Sequence, residues 1–364
     1  MTAITGDTSK PLNVVAIGGG NGLSALLYGL KAYVGSNSQP SIERLSAIVA
    51  VSDDGGSSGR LRDELQIPPP GDIRNCMVAL GEDSLLLSKL FQHRFRGNGE
   101  LGGHSFGNLF LAALSEITGD FAEAVRLSSE ILASKGHIYP ATMADVRLAA
   151  ILDKGTIVRG ETNIGRVGPR IRRLYLEPDD CKPLPEALNA IRGADVITIG
   201  PGSLFTSLLP PLLVQGVGDS IAAADAVKIF ICNLMTQPGE TDGLNSRRHL
   251  EIVSQYLPQV NFDLIIVNDQ PITPVQAAKY RAEGAEQIGI HGSISDSDID
   301  GTRIVYAKLL REGEKVRHDP ARLARTVLES AVSFSSFFES EGKPAVNPVK
   351  SEKVCLSPLE GKNH

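Results

Sequence analysis

The sequence predicts an α/β protein: a doubly wound, mainly parallel sheet with a helical insertion. Three observations predict it. Short β-branched runs alternate along the chain with segments of helical period, the pattern of strand and crossover helix. The strand runs are apolar at most positions rather than at every second one, as strands covered on both faces are. Glycine-rich polar segments stand where those runs stop, and in a doubly wound sheet the strand ends form the ligand crevice.

Residues 1–11 are small and polar and are expected to form a flexible N-terminal tail. Residues 339–364 are Pro-, Lys- and Ser-rich without periodicity and are expected to form a flexible C-terminal one. Length alone suggests two domains or one large unit, since single cores stop growing near ~250–300 residues; residues 12–338 are read as one large α/β domain. Its strands are Asn13–Ile17, Leu45–Ser52, Ala194–Ile199, Val227–Asn233 and Asp263–Asn268. Residues 84–150 (LLLSKLFQHRFR, LFLAALSEITG, FAEAVRLSSEILAS and MADVRLAAIL among them) carry helical period with no clear strand and form the helical insertion. Residues 155–177 read as short antiparallel strands; their five arginines, at 159, 166, 170, 172 and 173, suit a solvated charged hairpin.

Composition sets limits on function. With 36 basic and 42 acidic residues the formal charge is −6, which argues against a nucleic-acid backbone as partner, because such proteins cluster Lys and Arg. There are 37 glycines in 364 residues, about one in ten against a usual ~7%, with only 11 Phe, 7 Tyr and no Trp. Aliphatic side chains must therefore fill the core, and the glycines imply places where backbone approaches something closely. Cys76, Cys181, Cys232 and Cys355 stand far apart without metal-like spacing, as reduced thiols do. The N-terminus has no signal pattern and no apolar run reaches ~18 residues, so a cytoplasmic protein without a membrane span is expected.

The candidate site residues gather at the strand ends. Gly18, Gly19, Gly20, Asn21 and Gly22 follow the first strand and open a helix, which aims backbone N–H groups and the positive end of the helix dipole at one point and suits a phosphate. Gly20, Gly22 and Ala25 also meet a relaxed dinucleotide fingerprint. The next acid, Asp53, lies well beyond the ~20-residue spacing of a ribose carboxylate, which disfavours a nicotinamide dehydrogenase. The second loop is denser: Asp53, Asp54, Gly55, Gly56, Ser57, Ser58 and Arg60 follow directly on an apolar strand, with Arg62 beyond. Adjacent Asp residues on extended backbone point different ways, so one suits a divalent cation such as Mg²⁺ or sugar hydroxyls while the other orders the loop. The Gly-Ser segment suits an oxyanion nest that an arginine neutralises.

Two further clusters follow, Gly71, Asp72, Arg74 and Asn75, and then His104, Ser105 and Asn108 before an apolar helix. His104 suits a phosphate donor or a general acid; a capping Ser105 beside a structural His104 accounts for the same residues. No nucleophile elbow is present. In the second half Gly200, Gly202 and Ser203 repeat the glycine-then-helix pattern, and polar segments end the next two strands at Asn233–Thr241 and Asn268–Asp269.

Together GGGNGLS, VAVSDDGGSSGRLRDE, PPPGDIRNC, GHSFGNLFLAAL, IGPGSLFTSLLP and CNLMTQPGET resemble the bacterial gluconeogenesis-factor (YvcK-like) family, which is related to the CofD-type phospholactate transferase that builds a deazaflavin coenzyme. The resemblance runs from about Val14 to Phe337. It implies a Rossmann-like fold, a cytoplasmic location, a phosphate centre shared with the transferase, and a role in growth and cell shape under gluconeogenic conditions with binding of UDP-sugars such as UDP-N-acetylglucosamine. It also implies two nucleotide-sugar contacts, Tyr280 in KYRAEG and Arg317 in VRHDP. A Tyr face suits stacking of uracil and an Arg fork suits a diphosphate, although an isolated Tyr or Arg on a helix flank is more often solvated surface, and only the resemblance singles these two out. The transferase link implies an enzymatic alternative, in which Asp53 and Asp54 hold Mg²⁺ and the glycine loops steady a phosphorylated small molecule. The second half resembles the gluconeogenesis factors more than the transferase. The sequence leaves both catalysis and homo-oligomerisation open.

Overall fold

The computed structural model of the chain describes residues 10–37, 39–82, 85–167, 171–289 and 298–341. The predicted tails fall largely outside the described residues, as do Cys355 and Arg170. The first half runs β1 (Leu12–Gly18), α1 (Gly20–Leu30), β2 (Ile42–Val49), α2 (Gly56–Leu65), α3 (Gly71–Leu80), α4 (Leu85–Gln92), α5 (Phe106–Thr118), α6 (Phe121–Ile131), β3 (His137–Pro140), β4 (Arg147–Leu152), β5 (Ile157–Arg159), α7 (Glu161–Ile164) and β6 (Ile171–Glu177). The second half continues α8 (Pro185–Arg192), β7 (Val196–Ile199), α9 (Leu209–Leu213), α10 (Val217–Ala223), β8 (Val227–Ile231), α11 (Ser246–Tyr256), β9 (Leu264–Asn268), α12 (Pro274–Ala282), β10 (Asp298–Ile299), β11 (Thr302–Ala307) and α13 (Pro320–Glu341).

Eight strands form one sheet in the order β10-β11-β9-β8-β7-β1-β2-β3, parallel throughout except for the antiparallel edge pair β10/β11. All five predicted strands lie in it. Their uniform apolarity follows from position: in β1, Val14 and Ala16 enter the core cluster under α1, α3 and α13, while Val15 and Ile17 enter the cluster on the opposite face. From β1 the chain crosses to β2 on one side, and from β7 it crosses to β8 on the other. The direction of winding thus reverses between β1 and β7, and loops diverging from a reversal leave a crevice at the strand C-termini.

Two boundaries differ from the sequence reading. The helical insertion ends at Ile131, not near residue 150, because His137–Pro140 closes the sheet edge as β3 and Arg147–Leu152 is a strand. In LAAIL the buried Leu148, Ala149 and Ala150 face into packed interior on both sides, and periodicity cannot separate so short an apolar run from a helix. The antiparallel strands predicted over 155–177 are present, with β4 as their centre: β5-β4-β6 makes a separate three-stranded sheet. Helix α13 extends to Glu341, three residues past the expected end of the domain.

Candidate functional site

The β1–α1 turn and the turn after β7 close on each other at the point of reversal. A Cβ placed on Gly22 would lie 2.3 Å from the Pro201 carbonyl oxygen, so only glycine lets these backbones meet. Three of their backbone donors already have protein partners. The Gly20 N–H donates to Asp72 Oδ2 at 2.7 Å, so a carboxylate of the protein occupies the positive end of α1. The Gly202 N–H donates to Asn233 Oδ1 (3.1 Å) while Asn233 Nδ2 returns a bond to the Gly202 carbonyl (2.7 Å). Ser203 Oγ accepts from Gln237 Nε2 (2.7 Å), and the Phe205 N–H donates to Glu240 Oε1 (2.9 Å). Gly18, Gly19, Gly20, Gly22, Gly200, Gly202 and Ser203 thus build a close-packed floor. Asn21 is exposed above it.

Helix α2 differs. Its N-cap is Gly55, whose N–H is taken by Asp53 Oδ1 at 2.8 Å, and no side chain caps the helix. The backbone N–H groups of Gly56, Ser57 and Ser58 have no partner among the described residues, which leaves the positive end of a ten-residue helix open. Ser57 Oγ accepts from Asn108 Nδ2 (3.1 Å) and from the Ser105 N–H (3.4 Å), so its own proton goes to His104 Nδ1 (3.0 Å). His104 is therefore the neutral tautomer with its proton on Nε2. Burial first, and then the Arg60 charge, hold its pKa below the ordinary value. Ser105 caps α5 and accepts from Arg74 Nη1 at 2.6 Å. Ser105 is thus a helix cap, and His104 is tied into the start of α2.

Arg74 supplies buried positive charge. Its Nη2 donates to Asn75 Oδ1 (2.7 Å), and its Nε has no partner among the described residues. Burial and Arg94 lower its pKa, against the pull of Asp72 and Asp53. Arg60 donates to the Gly102 carbonyl (2.7 Å), and Arg62, fully buried, is spent on Asp145 and on the Val146 carbonyl.

The two adjacent aspartates diverge as extended backbone requires. Asp53 turns toward Gly71 and the site, whereas Asp54 Oδ1 accepts from the Thr162 N–H (3.0 Å) and from Thr162 Oγ1 (2.8 Å) on α7. The expected Asp53–Asp54 metal pair is therefore not presented on one side. Two other carboxylates stand there: Glu161, which the sequence did not single out, and Asp72, which it did. Glu161 is pushed well above the usual carboxylate range by burial and by the charges of Asp53, Asp72, Asp54 and Glu240. Asp72 is pushed up to about 6, by burial first, against the Gly20 N–H and with the help of Asp53. Among the described residues no three of these groups converge as a complete protein cage for a metal. That suits Mg²⁺ only in its usual manner, held by one or two carboxylates plus phosphate oxygens and water.

Tyr280 and Arg317 come near each other: Tyr280 Oη accepts from the Val316 N–H at 3.0 Å, and Arg317 is exposed one residue on. They stand beyond β9 and β11. By ~4.8 Å strand spacing, β9 lies ~14 Å along the sheet from β1. Beside them a cavity of about 180 Å³ is lined by Gln270, Thr273, Gln276, Leu310 and Val316 among others.

An open, mostly parallel sheet whose winding reverses between β1 and β7, with polar loops and carboxylates at the strand C-termini, defines a doubly wound α/β protein. The family model for 2-phospho-L-lactate transferase CofD matches residues 14–310. The chain is 46% identical to the gluconeogenesis factor of Halalkalibacterium halodurans, over 90% of this chain and 99% of that one. It is 43% identical to the gluconeogenesis factor of Bacillus subtilis strain 168, over 88% and 98%. A crystal structure of a UPF0052-family protein from Bacillus halodurans superposes with a TM-score of 0.80 at 45% identity, covering 88% of this chain and 99% of that one. The chain belongs to the CofD family and stands among its gluconeogenesis factors. Among the described residues no helix is long and apolar enough to cross a membrane.

Proposed function

We propose that the protein is a nucleotide-sugar-binding factor of the cytoplasm that supports growth and cell shape under gluconeogenic conditions, with a UDP-sugar such as UDP-N-acetylglucosamine as its ligand. The observation that carries the reading is the start of α2, three unpaired backbone N–H groups beside the buried Arg74 guanidinium. A diphosphate seated there meets a helix dipole and a fixed positive charge, and Mg²⁺ held by Asp53 and Asp72 offsets the nearby carboxylates. The uridine end extends along the strand termini toward Tyr280 and Arg317. The names of the relatives, gluconeogenesis factors, support the gluconeogenic part of that role.

A thermal-shift series tests it. At a hundred times Kd a ligand of the native state adds ~2.7 kcal/mol, so UDP-N-acetylglucosamine with Mg²⁺ should raise Tm by several degrees. Stabilisation by NAD alone contradicts the proposal. A second reading, Mg²⁺-dependent transfer from a phosphorylated small molecule, is favoured by the CofD match across residues 14–310. Release of a product from a labelled phospholactate or UDP-sugar donor would support it, and clean binding without turnover would oppose it.

A further inference from the structure

We propose that Asp54 is a positioning residue, a latch that fastens the β5–α7 turn to the β2–α2 loop and thereby fixes Glu161 among Asp53, Asp72 and Glu240. Both of its Thr162 bonds come from one oxygen, Oδ1, which accepts from the N–H and from the hydroxyl. The other oxygen is pressed against Gly160. This glycine has φ +90°, a conformation side chains rarely adopt, and a Cβ there would lie 2.3 Å from Asp54 Oδ2. Gly160 and Thr162 flank Glu161, so the latch grips the residues on either side of that carboxylate. Elsewhere the turn is held by the Gly160 N–H on the Leu148 carbonyl (2.8 Å) and by the buried Ile164, while Thr162 and Asn163 between them are exposed. Like charges around Glu161 push the turn outward, and the latch opposes them.

The latch rests on geometry; its use in ligand binding rests on the phosphate reading above. The two roles open to Asp54 differ in what they require. A latch needs a side-chain oxygen that accepts hydrogen bonds, which Asn supplies. A cation ligand needs the charge, which Asn lacks.

The experiment compares Asp54→Asn, Asp54→Ala, Thr162→Val and Thr162→Ser in the full chain. Amide hydrogen exchange over residues 160–165 and calorimetric titration with UDP-N-acetylglucosamine in Mg²⁺ are the readouts, with cooperative unfolding as a check on the fold. The latch predicts that Asp54→Asn stays within about threefold of the wild type in both, because one accepting oxygen remains. Asp54→Ala should exchange at least tenfold faster over the turn and bind at least tenfold more weakly, the cost of losing charged hydrogen bonds. Thr162→Val should fall between, and Thr162→Ser should restore the wild-type values. Asp54→Asn as damaging as Asp54→Ala would overturn the latch in favour of a charge role, and an Asp54→Ala variant with unchanged exchange would overturn it outright. If the wild type binds no UDP-sugar, the functional reading fails while the exchange data still judge the latch.

Discussion

Replacing Asp72 by Asn should stabilise the protein at neutral pH. Asp72 sits at the end of α1, accepts the Gly20 N–H at 2.7 Å, and is held at about 6 against an ordinary 3.8, with burial as the main cause. Below about pH 4 both folded and unfolded chains carry the proton and the group contributes nothing to pH dependence. Between about 4 and 6 the unfolded chain loses it while the folded chain keeps it, so stability falls as pH rises through that window. Above both values the accumulated cost is about 3 kcal/mol, at ~1.4 kcal/mol per tenfold change. Asn keeps an oxygen for the Gly20 N–H and removes the charge; the weaker neutral bond returns ~1 kcal/mol of the gain. The net expectation is ~1–2 kcal/mol more stability at pH 7.5 and none at pH 4. Urea unfolding at the two pH values measures it as a shift of midpoint at constant slope. A less stable variant at pH 7.5, or an equal gain at both pH values, would refute the argument.

Three further outcomes follow from the site. Arg74→Met should weaken binding of UDP-N-acetylglucosamine roughly 10- to 100-fold, the worth of a charged hydrogen bond, and should reduce its salt dependence in titration calorimetry. Gly22→Ala should cost roughly 1–3 kcal/mol in denaturant unfolding, since the added Cβ meets the Pro201 carbonyl backbone at 2.3 Å and neither turn has a flexible side chain to yield. Tyr280→Ala should weaken UDP-sugar binding while leaving inorganic phosphate binding within twofold; equal losses of both would mean that Tyr280 acts through the fold.

The parallel sheet was legible because β1, β7, β8 and β9 are apolar on both faces and reach glycine or Asn at their ends or within two residues of them, so strand, burial and crevice follow from one pattern. The site was legible as a set of loops but not as a division of labour. Helix starts look alike in sequence, and only tertiary contacts show that Asp72 and Glu240 each take a donor at one of them while no side chain caps α2. Glu161 was hidden for the same reason. It lies in an arginine-rich segment that reads as solvated surface, and its place beside Asp53 depends on the Asp54–Thr162 contact across 108 residues. Asp54 itself was read with its neighbour as a metal pair, with one of the two free to order the loop; the backbone geometry that turns adjacent side chains apart gave the latter role to Asp54.

The most direct test of the phosphate cradle is an amide chemical-shift titration of the full chain with UDP-N-acetylglucosamine in Mg²⁺. The structure predicts saturable shifts at the Gly56, Ser57 and Ser58 amides, the unpaired donors at the start of α2, with a smaller response at Gly202, whose N–H is held by Asn233. Saturable binding that leaves Gly56–Ser58 unmoved would contradict the account.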